Sequence, residues 1–113
     1  MTRTTLPNPP ELSAAQIAEH RILLEQQRQF RVEQIAELRR TAGPETPADA
    51  EITNSLLAGA HAALREIRAA LRRIDEGGYG RCTACTEPVG AARLEILPQA
   101  ARCLSCESLA RSG

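Results

Sequence analysis

Cys82-Thr83-Ala84-Cys85 and Cys103-Leu104-Ser105-Cys106 contain every cysteine of the chain, as two CxxC pairs separated by seventeen residues. This is the spacing of a four-thiolate metal site. Each CxxC turn offers two sulfurs to one edge of a tetrahedron, and two turns close the shell at about 2.3 Å from sulfur to metal. No position is left for water or substrate, so such a site holds structure rather than performing chemistry. Two disulfides would need an oxidising compartment, and the N-terminal stretch MTRTTLPNPPEL has no apolar run of signal-peptide length. A redox pair fits poorly, because Cys82 follows a glycine-rich break after a helical stretch and not the end of a strand. A four-thiolate iron centre would share these ligands; one structural Zn2+ held by Cys82, Cys85, Cys103 and Cys106 is the reading adopted.

Upstream of the first pair, Gly77-Gly78-Tyr79-Gly80 marks a helix C-terminus, since glycine readily takes the left-handed conformation needed there. The helix it ends has an apolar stripe at Ile52, Leu56, Ala60, Leu64, Ile67, Leu71 and Ile74, in steps of four and three. Its start is set by Thr46 as N-cap, Pro47 at the first helical position and Asp49 completing a Thr-x-x-Asp box. Before it, Gly43-Pro44-Glu45-Thr46-Pro47 breaks the chain. A first helix precedes the break, opened by the capping box Ser13-x-x-Gln16 and free of Gly and Pro from Ala14 to Ala42. Its stripe, Ile17, Leu24, Val32, Ile35 and Leu38, is interrupted by Arg21, Arg28 and Arg31. Two long helices joined by a loop of about four residues must run antiparallel as neighbours.

The fold expected is therefore dominated by α-helix (all-α): an antiparallel two-helix coiled-coil hairpin followed by a small four-cysteine zinc finger with a short C-terminal helix. Residues 1–12, with prolines at 7, 9 and 10, form an extended lead-in; 13–76 form the hairpin, with its tip near 43–49; 77–113 form the finger. Within the finger, Val89–Leu97 is expected as two small strands or irregular turns, and Leu104–Arg111 as a closing helix. Tyr79, Leu94 and Ile96 are expected to pack around the metal, and His20 and His61 to be ordinary surface or seam residues.

Composition narrows the function. Fourteen basic residues, all arginine, balance fourteen acids, and the chain has one Phe, one Tyr and no Trp. A DNA-binding domain would be clearly basic, so sequence-specific DNA binding is not expected. No stretch has the apolar length of a membrane span, and a cytoplasmic protein is expected. Arg81, Arg93 and Arg102 lie near the finger, but Glu87, Glu95 and Glu107 offset them. No Ser/His/Asp set, phosphate-cradling glycine loop or open metal site gives catalysis a foothold.

The run Leu71-Arg72-Arg73-Ile74-Asp75-Glu76-Gly77-Gly78-Tyr79-Gly80-Arg81-Cys82-Thr83-Ala84-Cys85, continued by Arg93-Leu94-Glu95, Pro98, Ala100 and the second cysteine pair, resembles the zinc finger of the DksA/TraR family. The likeness in specific residues covers about 71–107. It implies a non-catalytic transcription regulator that binds bacterial RNA polymerase and inserts the coiled-coil tip through the secondary channel, with the alarmone ppGpp as a further ligand at the polymerase interface. Two departures stand out. Thr86 occupies the position after the first CxxC where the family usually has glycine, so the turn there must differ or cost more. The family's tip carries two aspartates three apart and an alanine two further on, whereas this chain offers Glu45, Asp49, Ala50 and Glu51.

These four residues are the candidate tip contacts, an acidic cluster at the end of a rod. Acids in a first helical turn also stabilise the helix dipole by roughly 0.3–1 kcal/mol, and Asp49 has its capping role. The rival functions are an interaction module of the same fold with another protein partner and, less favoured by the charge balance, a zinc-ribbon DNA binder.

Overall fold

The computed structural model describes residues 12–42 and 46–112. The expected lead-in, apart from Leu12, and Glu45 of the tip lie outside the described residues. Four helices follow in order: α1 (Ala14–Thr41), α2 (Pro47–Glu76), α3 (Ala91–Ile96) and α4 (Leu104–Ser112). Among the described residues the only extended pairing outside them is an antiparallel bridge between Arg81 and Pro88.

Local chemistry sets the helix ends. Ser13 Oγ accepts the Gln16 N–H at 3.1 Å, and the Gln16 side chain accepts the Ser13 N–H at 2.8 Å, completing the reciprocal box that opens α1. At α2 the Thr46 hydroxyl accepts the Asp49 N–H at 3.2 Å, but the return bond differs from a capping box. The Asp49 carboxylate takes its hydrogen from the Thr46 hydroxyl, at 2.7 Å, and not from the Thr46 backbone. Gly77, with φ 87°, turns the chain out of α2, and Arg73 O accepts from the N–H groups of both Gly78 and Tyr79.

α1 and α2 pack antiparallel. Small Ala60 and Ala70 on α2 are buried, which lets the two backbones approach. Near the finger Leu24 of α1 is fully enclosed in a cluster with Ile67, Ala70, Leu71, Tyr79, Cys82, Val89 and Leu94, so hairpin and finger share one core. A second, smaller cluster of Ile35, Ala60 and Leu64 lies further along the rod.

The helices are not flush at the far end. Arg39 lies against His61 at 3.3 Å, and α1 ends two residues later at Thr41, whereas α2 begins back at Pro47. At 1.5 Å per residue α2 therefore runs roughly two to three turns past the end of α1. Ala42 and Thr46, on either side of the connector, both have extended backbone. The overhang explains why the apolar stripe of α2 is not buried throughout. Ile52 and Leu56 are 59% and 51% exposed, because no α1 residue lies beside them. Val32, on the imperfect stripe of α1, is likewise exposed.

Two further expectations are corrected. The stretch expected as strands or turns forms α3, one and a half turns of helix entered from Gly90 at φ 108° with no side-chain cap. Ile96, expected against the metal, is exposed at the end of α3, while Leu94 two residues earlier is buried.

Candidate metal centre

The first cysteine pair sits in a tight hairpin. Val89 N–H donates to Gly80 O at 2.8 Å and Cys82 N–H to Glu87 O at 2.7 Å, closing the chain around residues 82–87. Within it the Thr86 N–H returns to Cys82 O at 2.9 Å. That turn requires a left-handed residue, and Thr86 adopts φ 66°, the one non-glycine with positive φ among the described residues. The turn is therefore the one glycine would make, held by a β-branched residue at a cost of order 1–3 kcal/mol. The second pair straddles the start of α4: Cys103 precedes the helix, Cys106 lies in its first turn, and Glu107 N–H donates to Cys103 O at 2.9 Å. A bond from Thr83 N–H to Ala101 O at 2.8 Å brings the two turns together.

The four Sγ atoms lie within 4.8 Å of one another, and Cys85 Sγ is 3.8 Å from Cys103 Sγ. A tetrahedron with bonds of about 2.3 Å has edges of about 3.8 Å, so the cluster is sized for one ion. Backbone N–H groups of Ala84 and Cys106 point at the sulfurs of Cys82 and Cys103, at 3.4 and 3.5 Å, where they favour thiolate. Cys82 is buried, Cys103 and Cys106 are half-buried and Cys85 is exposed. Burial pushes the Cys82 thiol up, but hydrogen bonds from the backbone of Cys103, Cys85 and Ala84 outweigh it and bring the thiol down to about 6. Hydrogen bonds to Cys103, Cys85 and Cys82 hold the Cys106 thiol up at about 12. One sulfur ionises readily and another resists, as expected where four converge, and a divalent cation lets all four be thiolates together. The four cysteines are thus positioned to bind one metal ion, and the donor set is that of structural zinc.

The centre is tied to the hairpin by a polar relay that sequence reading missed. His20 of α1 is buried, with Nδ1 3.0 Å from the Tyr79 hydroxyl, and that hydroxyl donates to Pro98 O at 2.8 Å. The imidazole therefore carries its hydrogen on Nδ1 and donates to the phenol. The two rings meet edge to face, with centroids 6.0 Å apart. Burial pushes the phenol up to about 12, with nearby Arg73 acting in the opposite direction. Arg73 itself reaches across from α2 to Gln99 O and Ala100 O at 3.4 and 3.3 Å, its Nε buried and without a partner among the described residues. His20 lies one turn before Leu24, the enclosed residue of the α1 stripe, which was the available signal that it faces inward.

Around the finger the arginines are satisfied locally. Arg93 Nε donates to Arg102 O at 3.1 Å, and Arg102 Nε meets Glu107 at 3.0 Å. The hydrogen bond from Arg102, then its charge, holds the Glu107 carboxyl below the usual range. At the other end of the rod Asp49, Ala50 and Glu51 are exposed on the overhanging first turns of α2. They lie far from the cysteines, as a helix of about 45 Å dictates.

Residues 77–110 match the family described as the prokaryotic dksA/traR C4-type zinc finger. Among curated proteins the chain is similar to the RNA polymerase-binding transcription factor DksA of Haemophilus influenzae, 38% identical over 47 residues, which are 42% of this chain and 32% of that protein. It is also similar to DksA of Caulobacter vibrioides, 49% identical over 37 residues, 33% of this chain and 26% of that one. The chain thus spans about a third or less of the length of the curated relatives it matches. Among solved structures, transcription factor DksA2 from Pseudomonas aeruginosa superposes with a TM-score of 0.71 at 29% identity, covering 88% of this chain and 86% of that one. The RNA polymerase binding protein and transcriptional regulator Dks from Chlamydia trachomatis shares the fold, with a TM-score of 0.57 at 24% identity over 91% of this chain and 95% of that one. Residues 77–110 thus match the DksA/TraR C4-type zinc finger, and they sit at the base of a helical hairpin whose fold is similar to that of DksA2.

Proposed function

We propose that this protein is a non-catalytic transcription regulator that binds bacterial RNA polymerase directly, with the coiled coil as probe and the zinc finger as rigid base. The observation that carries this reading is the combination of a DksA/TraR finger with a hairpin that follows DksA2 over most of both chains. The overhang of α2 supports it further. The first turns of α2, which no α1 residue flanks, present Asp49, Ala50 and Glu51 at the far end of the rod. In this reading the tip enters the secondary channel, the metal ligands are Cys82, Cys85, Cys103 and Cys106, and the protein acts in the cytoplasm. ppGpp would act at the interface with polymerase and not on the free chain. The test is co-purification of the zinc-loaded chain with its host's polymerase, with transcription assayed with and without ppGpp. Binding together with altered initiation is expected, and absence of binding would overturn the reading.

One observation favours a second reading, an interaction module for a different protein. The tip lacks the two spaced aspartates of the family, and Asp49 is engaged in capping by Thr46. Retained fold with no affinity for polymerase would select it.

A further inference from the structure

We infer that one flank of the hairpin, bounded by the Arg39–His61 and Arg21–Asp75 contacts, is a docking face for an acidic α-helix of a protein partner. Those two contacts, at 3.3 and 2.6 Å, each cross the seam between the helices on the same side. Arg21 and Arg39 are eighteen residues apart in α1, five whole turns, and Arg28 falls on their line. From His61 in α2 the same face continues through Arg65, Arg68 and Arg72 to Asp75, in steps of four, three, four and three. The two contacts therefore frame a strip, about 27 Å long on α1 and about 21 Å on α2, that contains Arg28, Arg65, Arg68 and Arg72.

All four of these arginines are exposed, and none has a hydrogen bond or ion pair among the described residues. Elsewhere the pattern is the reverse. Arg40, Arg102 and Arg111 are each paired with a glutamate, and Arg73 and Arg93 with carbonyls. Only Glu25 offers an opposite charge within the strip. Among the described residues, a chain of zero net charge thus concentrates its unpaired guanidinium groups on one side of the hairpin.

Charge complementarity calls for a polyanion, and the details select a protein helix. Guanidinium forks at helical spacing on Arg65, Arg68 and Arg72 match carboxylates repeated three and four residues apart on a second helix lying alongside. Apart from the His61 imidazole, which Arg39 engages at its end, the strip holds no aromatic ring on which a base could stack: Phe30 lines the opposite flank with Leu23 and Ala63, and Tyr79 is buried. Balanced overall charge also removes the long-range attraction on which binding to a nucleic-acid backbone depends.

The test uses the full zinc-loaded chain, 15N-labelled, with three probes of equal charge: an alanine-rich peptide helix with glutamate at alternating spacings of three and four, a single-stranded oligouridylate, and a DNA duplex. The peptide is expected to shift the Nε–Hε resonances of Arg28, Arg65, Arg68 and Arg72, and its affinity to fall roughly tenfold from low to physiological salt. The triple variant R65Q/R68Q/R72Q should keep its helicity and lose the shifts, whereas R93Q should leave them intact. Tighter binding of either nucleic acid, shifts spread equally over all arginines, or none at all would overturn the inference. No polymerase is needed, so this result and the polymerase reading stand or fall separately.

Discussion

Replacing Tyr79 by Phe removes one oxygen atom and, with it, both bonds that tie α1 to the loop before the second cysteine pair. The ring stays, so the apolar contacts with Leu24 and Leu94 in the shared core are kept. What changes is polar. Pro98 O loses its hydrogen at 2.8 Å and His20 Nδ1 loses its acceptor at 3.0 Å, and both lie where solvent barely reaches. Leaving a buried polar group unpaired costs about 1–3 kcal/mol, so two of them cost about 2–4 kcal/mol after some relaxation. In a protein of this size each kcal/mol lowers Tm by roughly 4–8 °C, which gives a fall on the order of 10–20 °C. The assay is thermal unfolding by far-UV circular dichroism at a fixed excess of zinc, so that metal linkage is equal for both proteins. In a double-mutant cycle, His20→Phe combined with Tyr79→Phe should cost less than the sum of the single changes, because both remove the same bond. A loss below about 1 kcal/mol with strict additivity would refute the relay as a tie between hairpin and finger.

Tyr79 is the only tyrosine, and there is no tryptophan, so its phenol can be titrated directly by absorbance. Burial raises its pKa to about 12, so its contribution to stability should be whole below the ordinary value near 10 and fade as pH rises toward 12; titration near 10 in the folded protein would contradict the burial. Thr86→Gly should stabilise the finger by about 0.5–1 kcal/mol, the relief of left-handed strain less the greater entropy of an unfolded glycine, as read from chemical denaturation. Equal or lower stability would show that the turn favours threonine. Zinc loading near neutral pH should expel the proton of Cys106, whose thiol is held up by its hydrogen bonds to the other cysteines, and affinity should therefore rise by at least about tenfold per pH unit. Titration calorimetry in buffers of different ionisation enthalpy measures the proton count, and none released would refute the charge argument. Cys103→Ser should abolish stoichiometric zinc and unfold residues 77–110 while leaving much of the α1–α2 helicity; full metal content with native folding would disprove the four-thiolate site.

Much of this architecture is legible in local chemistry. Ser13 with Gln16, Thr46 with Pro47, and Gly77 each mark a helix end through an interaction confined to a few residues, and all three ends fall where those signals place them. The metal centre is legible for a related reason, because ligand spacing within each CxxC turn is itself local. What escaped depends on where distant segments meet. The stripe through Ile52 and Leu56 has the right period, yet period cannot say that α1 stops two to three turns short of covering it. His20 looked like a surface or seam residue because its partner lies 59 positions away in the chain. α3 is too short to show a repeat, and Gly90 supplies its turn without the side-chain cap that announces α1 and α2. Thr86 reads as an obstacle to the knuckle turn, and only the backbone shows the turn kept, with the strain accepted.

The most direct measurement of the proposed role is binding of the zinc-loaded chain to its host's RNA polymerase, alongside Asp49→Asn and a deletion of residues 43–51, with initiation followed in the same samples. Asn keeps the capping geometry at Thr46, so its Tm should barely move, whereas its effect on transcription should vanish with the charge. Both variants are expected to bind still, through the hairpin and finger, and both to lose regulation. A chain that binds no polymerase, or a deletion that binds and regulates as the intact protein does, would contradict a tip-inserting polymerase regulator.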